Sequence, residues 1–384
     1  MLLEPQIQTL SRNSRKYFFW LLVVIFLVAL PSLIFYTTGY RLSFENEETS
    51  IVTTGGMYIT TDNLEVDVYL DEEQVERPRL FRSAYYIQNI EAKLHRVVVQ
   101  RDDLQTWVKV LPIDSYIVAE VAAFNMPTIP HVRPIAKYNT SAGEQVYILA
   151  STTINLFPKA TTTTPYVILT KKATTTYQTN EEYIFVSSLF STSTAVKESV
   201  FERFMDEVGR FGFATTSTNV GGVATDTESI VTSGSMQLLD RKGELYAVWK
   251  GSDNSIPYYF CTTDVSSSTL AERYGEHVAL ETERLRLSTT TPMIVNGNKI
   301  CRPEIKIDRK RQDVYFYDFL PTSSDLVLLQ LEDGLYVTEI DDRSWQNTQL
   351  IYPGSDFEVV LENEQIFIHE DGLYFELVTE IEPT

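Results

Sequence analysis

Twenty residues from Tyr17 to Tyr36, YFFWLLVVIFLVALPSLIFY, contain no charged side chain. At about 1.5 Å per residue such a helix spans about 30 Å, the hydrocarbon thickness of a bilayer. Beyond it the period of the apolar positions changes from that of a helix to that of a strand. Leu64, Val66, Val68 and Leu70 alternate with Glu65, Asp67 and Tyr69, which predicts a strand with one buried face. LHRVVV and WVKVL predict two more, joined by the polar turn QRDDLQT. Nearer the C-terminus, LVLLQL and LYVTEI flank one copy of EDGLY, and QIFI and LYFELV flank another, 38 residues on. Asp-Gly favours a tight hairpin, because glycine takes positive φ at no steric cost. Asn296-Gly297, between MIV and KIC, lies 37 residues before Asp333-Gly334 and predicts a third hairpin.

Weaker echoes centre on Tyr147, Tyr183 and Tyr246, the first two 36 residues apart. The wider gap that follows holds AVKESVFERFMDEVGRF, the one helix-like stretch predicted outside the N-terminus. Its apolar stripe, Val196, Val200, Phe201, Phe204, Val208 and Phe211, recurs at helical period. Such a stripe is expected to pack on the host domain rather than on a partner. Short strands and hairpins repeating every ~40 residues match the blade of a β-propeller, and the strand-forming Val, Ile, Tyr, Phe and Thr exclude the helical repeats of similar length. The alternative is a β-sandwich with evenly spaced hairpins. In a propeller, Gly297, Gly334 and Gly372 would occupy equivalent left-handed turns and Leu335 and Leu373 would be buried alike.

Arg12, Arg15 and Lys16 precede the apolar span, and the positive-inside rule then assigns residues 1–16 to the cytoplasm and the chain after Tyr40 to the outside. Tyr17, Trp20, Tyr36 and Tyr40 stand near the ends, where aromatic rings favour the interface. No A-x-A site follows the apolar run, so an uncleaved signal anchor is expected rather than a cleaved signal peptide. The net charge is −20; the first 16 residues carry three basic side chains and one acidic, leaving −22 on the remainder. An acidic ectodomain opposes nucleic acid as a partner. The two cysteines, Cys261 and Cys301, both follow the span, and an even count in an exported chain predicts one disulfide with Cα atoms ~4.4–6.8 Å apart.

The order of strand, Val68-Tyr69-Leu70-Asp71, Pro78, LHRVVV with His95, and then Trp107 resembles a PEGA domain over residues 55–113. Three positions depart from that family's pattern. Asn63-Leu64-Glu65-Val66 stands for Pro-x-Gly-Ala, Glu72 for the glycine after Asp71, and Lys93 for the glycine before the histidine. YTTGYRLSF, directly after the span, is similar to the same region of membrane-anchored bacterial PEGA proteins. The resemblance implies a bacterial envelope protein whose PEGA domain is an interaction module without catalysis, binding surface proteins or glycans.

The expected organisation is therefore mainly β: a cytoplasmic tail (1–16), a transmembrane helix (17–36), a linker (37–54), a PEGA-like β domain (55–113) and a propeller-like domain (114–384) with a helical insertion near 195–212. Chemistry is sparse. His95, His131, His277 and His369 form no HExxH or i, i+4 pair, and the chain contains no GxSxG, SxxK or phosphate-binding glycine loop. No catalytic, cofactor or metal residue is assigned, and His95 is expected to pack within its domain. Asp341-Asp342-Arg343 reads as a solvated strand end rather than an ion site. Asn139-Thr140-Ser141 satisfies a glycosylation sequon, and the Thr-rich stretches near 161–176 and 214–235 read as exposed loops. Two functions follow: a non-enzymatic anchored binding protein, or an exported propeller-type glycan hydrolase or lyase.

Overall fold

The computed structural model describes residues 11–43, 50–77, 84–139, 145–149, 154–155, 185–186, 230–288, 292–296, 299–321 and 323–380. The protein is mainly β, preceded by one apolar helix, α1 (Arg12–Thr37). None of its residues is buried in the rest of the chain, and it is long and apolar enough to cross a membrane or to serve as a signal sequence. The stretch read as a linker carries strands instead: β1 (Tyr40–Ser43) follows the helix after a two-residue turn and pairs with the start of β2 (Ser50–Thr61).

Eight strands make the first β unit, comprising β1, β2, β3 (Asp67–Leu70), β4 (Glu73–Gln74), β5 (Ala84–Glu91), β6 (Leu94–Gln100), β7 (Trp107–Pro112) and β8 (Val118–Ala123). They form two sheets. In one, β2 lies between β5 on one side and β1 and β8 on the other; the second runs β4-β3-β6-β7. Met57 and Ile59 from the first sheet meet Val68, Val97, Val99 and Trp107 from the second in one apolar core. Val66 and Val68 are buried as their alternation predicts, whereas Leu64 precedes the strand and is exposed. At the β3–β4 turn Asp71 and Glu72 both have positive φ (48° and 73°). A glycine at position 72 would relieve that backbone.

The second region contains β9 (His131–Asn139), β10 (Gln145–Leu149), β11 (Ile154–Asn155), β12 (Phe185–Val186), β13 (Ile230–Ser233), β14 (Met236–Arg241), β15 (Glu244–Trp249), β16 (Cys261–Thr263), β17 (Ile294–Asn296), β18 (Lys299–Cys301), β19 (Glu304–Lys306), β20 (Phe316–Phe319), β21 (Leu326–Leu331), β22 (Gly334–Glu339), β23 (Thr348–Pro353), β24 (Phe357–Glu362), β25 (Gln365–Glu370) and β26 (Leu373–Val378). They form separate sheets; among the described residues none closes into a barrel or a ring. β20 to β23 run as a four-stranded meander, and β13-β14-β15-β19 forms another sheet of four. The C-terminal meander β24-β25-β26 continues through β9 to β10 and β12, bringing the two ends of this region into one sheet.

Burial of the β20–β23 sheet explains its sequence. Leu326, Leu328, Leu335 and Val337 face the core shared with the first β unit, while Val327, Leu329, Leu331 and Tyr336 face a second core shared with β14, β15 and β19. Every residue of β21 and β22 is buried. A sheet covered on both faces loses the apolar–polar alternation of a half-exposed strand.

The expected equivalence of the hairpins fails. The first EDGLY turns at Glu332-Asp333, with Leu331 opposite Gly334; the second turns at Asp371-Gly372, with Glu370 opposite Leu373. Gly334 is not among the positive-φ residues, whereas Gly372 has φ 77°. Leu335 is fully buried and Leu373 is 42% exposed. The hairpin at Asn296 and Lys299 is present, but it belongs to a small three-stranded sheet with β16, not to a four-stranded meander. Gly297 itself, the helical insertion near 195–212 and the two Thr-rich loops up to residue 229 lie outside the described residues. A helical pair that the sequence reading missed occupies Ser267–Tyr274 and Glu276–Arg286. Its signal was there: Leu270, Tyr274, Val278, Thr282 and Leu285 recur every three or four residues, and all are buried.

Candidate functional site

The polar side chains that converge most densely lie where the first β unit meets β22 and the segment after it. Asp341, Asp342 and Arg343 are not a solvated strand end: all three are buried. The sequence reading failed here because the partners lie far away along the chain. Trp107 and Lys109, alternate residues of β7, both point at Glu339, the last residue of β22. Trp107 Nε1 donates to Glu339 Oε2 at 3.1 Å, and Lys109 Nζ donates to Glu339 Oε1 at 2.7 Å and to the Asp341 carbonyl at 2.7 Å. Asn347 adds its backbone N–H at 2.7 Å and its side-chain amide at 2.8 Å to Oε1. Arg343 folds back onto Asp341 with contacts of 2.8–3.2 Å, and its Nη2 also donates to the Glu120 carbonyl on β8 at 2.9 Å. Arg302 makes a two-pronged pair with Asp342 at 2.6 and 2.7 Å, neither side chain being exposed by more than 2%.

These charges are buried but matched. Burial pushes the Glu339 carboxyl above its ordinary value, against the pull of Lys109. For Asp341, burial acts upward too, but Arg343 and Lys109 outweigh it and hold the group low. Asp342 is likewise held far below the carboxylate range: burial opposes it, and Arg302 followed by His277 overcomes it. Each carboxylate oxygen of Glu339, Asp341 and Asp342 already accepts a hydrogen bond. Each of these oxygens is held by a cationic or N–H donor, so the cluster acts as a clamp between the two regions.

Beside the clamp opens a cleft of about 340 Å³. Glu120 of β8, Asp253 and Asn254 of a short 3₁₀ turn, Lys299 of β18 and the ring of Tyr258 line it, together with the Cys261–Cys301 disulfide. Cys261 faces Cys301 across β16 and β18, and the sulfurs are bonded at 2.02 Å. Their Cα atoms are 3.9 Å apart, closer than the expected range. Arg343 lies 4.8 Å from the Tyr258 ring centre and covers it from the clamp side. Burial, reinforced by the nearby Asp341, raises the Tyr258 phenol, so it remains a neutral hydrogen-bond donor. Two carboxylates, an amide, an ammonium, a phenol and an apolar sulfur bridge suit hydrogen bonding and stacking against a polar ligand.

The histidines are dispersed. His95 is buried and bridges Asp71 Oδ2 at 2.5 Å and the Glu91 carbonyl at 2.7 Å, a packing role inside the sandwich. His131 opens β9, with burial lowering its basicity. His277 meets Asp342 at 3.4 Å, and His369 stacks on Tyr374 with ring centres 4.2 Å apart. Asn139 of the sequon ends β9; its Thr and Ser lie outside the described residues. Among the described residues no group of three His, Cys, Asp or Glu side chains could hold a metal ion. No protein-family model matches the chain, and a search of curated proteins returns no match.

Proposed function

We propose that the protein is a single-pass, membrane-anchored binding protein of the bacterial cell envelope, with residues 1–16 cytoplasmic and the β regions extracytoplasmic. It acts without catalysis, and its partners are surface proteins or glycans. The observation that carries this reading is α1: an apolar helix whose exposed length belongs in lipid, with Arg12, Arg15 and Lys16 in its first turns and β structure directly after it. The disulfide agrees with an oxidising compartment on the far side. The first β unit serves as a PEGA-like module, a reading supported by buried Val68, His95 and Trp107 and by Asp71, whose carboxylate accepts from the Arg96 backbone and meets His95.

The second region is read as propeller-like. That reading no longer rests on the repeated pentapeptide. It rests on the β20–β23 meander, covered on both faces as a blade is by its neighbours, and on the pairing of β26 with β9, which joins the ends of the region. The cleft between Glu120, Tyr258 and Lys299 is the proposed contact point for a polar group of the partner.

Protease added to intact cells tests the placement. It should remove the chain beyond Tyr40 and leave a short anchored stub; a protected C-terminus sinks the topology. Binding of the full chain to arrays of purified cell-surface glycans and proteins, with Tyr258→Ala as the weakened comparison, tests the function. Turnover of a bound glycan would replace this reading with that of a hydrolase or lyase.

A further inference from the structure

The junction between α1 and the sandwich carries an aromatic cluster that the packing of the ectodomain does not explain. Phe35 of the last helical turn stacks on Tyr40 of β1, ring centres 5.6 Å apart, and Tyr40 meets Tyr116 edge-on at 6.2 Å. Arg41 lies 3.7 Å over the ring of Tyr36 and donates to the Tyr36 and Tyr40 carbonyls at 2.7 and 2.8 Å, the first of them at the helix end. These contacts tie the end of the helix to the sheet.

Tyr116 comes from a loop 76 residues further along the chain, between β7 and β8. Its backbone holds φ 67°, a left-handed conformation that is an outlier for a bulky residue. The surroundings enforce it. Tyr116 N–H donates to the Thr54 carbonyl at 3.0 Å, Ser115 meets Thr53 through hydroxyls 2.6 Å apart, and Asp114 is paired with Arg273 of the helical pair. The ring lies against Gly39, where an added Cβ would come within 3.1 Å of it. Yet the side chain is 59% exposed, and the Ile117 and Val118 side chains beside it are exposed too. A strained backbone that delivers a phenol and two aliphatic side chains to the exit of an apolar helix gains nothing from water.

We infer that Tyr36, Tyr40 and Tyr116, with Ile117, form a collar that rests in the polar–apolar boundary of the bilayer and fixes the ectodomain on its anchor. The inference rests on reading α1 as membrane-spanning. The occupant follows from continuity, since two ring contacts connect Tyr116 to the last apolar turn of α1. Each headgroup layer is roughly 5–8 Å deep, so one such contact crosses most of it. Tyrosine favours that boundary because its ring is apolar and its hydroxyl polar. Asp114, the acid of the same loop, is paired with Arg273.

Tyr86 supplies a matched control, being 55% exposed on β5 against 59% for Tyr116. Hydroxyl-radical footprinting of the unmodified full chain in phosphatidylcholine vesicles, one chain per vesicle, reads both at once, with Phe26 at the centre of α1 as reference. Phe26 should be protected, Tyr86 oxidised, and Tyr116 oxidised several-fold more slowly than Tyr86. Equal rates at Tyr116 and Tyr86 with Phe26 protected overturn the collar alone. Oxidation of Phe26 overturns the membrane reading itself, and the collar with it. Protection of Tyr116 that appears only when several chains share a vesicle assigns the patch to a second copy and also overturns the collar.

Discussion

The two EDGLY hairpins have identical central residues and turns placed one residue apart. In the second, Asp371 and Gly372 are the turn, both left-handed (φ 50° and 77°), the geometry that matches the twist of a two-residue hairpin. In the first, the turn moves back to Glu332-Asp333, neither with positive φ, and Gly334 becomes the first residue of the strand. Gly334 is needed there for space: a Cβ would stand 2.5 Å from Leu350 Cδ1 and 2.7 Å from the Tyr352 carbonyl on β23. The slip does not exchange the faces, since Val337 and its counterpart Phe375 both lie in the shared core; only the leucine next to the turn differs. Leu335 enters the shared core while Leu373 stays in solvent. The pentapeptide specifies a hairpin, and the neighbouring strand decides which two residues turn.

The comparison breaks most sharply where each outgoing strand meets charge. β22 ends at Glu339, buried against a fully buried Lys109, whereas β26 carries Glu376, also buried but paired with a partly exposed Arg133 on the neighbouring β9. Lys109→Ala strands a buried carboxylate and should cost about 3–5 kcal/mol in denaturant unfolding of the full chain in detergent. Arg133→Ala should cost less, about 1–3 kcal/mol by the same assay, because Arg133 is partly exposed and Gln365 still donates to Glu376. Equal costs would remove the distinction between a fully buried clamp and a partly open pair.

The leucines come next. Leu335→Ala empties a fully buried site and should lose about 2–5 kcal/mol, while Leu373→Ala should stay within about 0.5 kcal/mol. If both are neutral, the assigned registers are wrong. The glycines sharpen the same point by mechanism. Gly334→Asn forces side-chain atoms into β23 and should cost about 1–3 kcal/mol. Gly372→Asn meets open space and a left-handed φ that asparagine tolerates, so thermal melts should barely move.

What was legible in the sequence follows from how local each signal is. The apolar helix at Tyr17–Tyr36 and the strands at Val68, Val97 and Leu328 depend on local composition and period, and all are present. The clamp was not legible: charges adjacent in sequence read as solvated, and only folding brings Lys109 and Arg302 to Glu339 and Asp342, 230 and 40 residues away. The helical pair was hidden for another reason. Gly275, with φ 95°, splits one apolar stripe into two short helices, and each half alone is a weak pattern.

The smallest predicted effect concerns His277, which only the first hairpin's strand engages, through Asp342. The hydrogen bond to Asp342 raises the imidazole above its ordinary 6.5, burial works against it, and the charge of Asp342 adds to the rise. The folded chain thus keeps this proton to higher pH than the unfolded chain does. A group of that kind contributes its full stabilisation below the unfolded value of about 6.5, and the contribution disappears as pH climbs through the raised folded value. Unfolding stability should therefore slope downward from about pH 6.5 into the alkaline range. The slope should be shallow, since His277 is half exposed and solvent screens the pair. His277→Ala should flatten it. Denaturant midpoints measured every half pH unit decide the matter: a slope that survives His277→Ala locates the proton elsewhere.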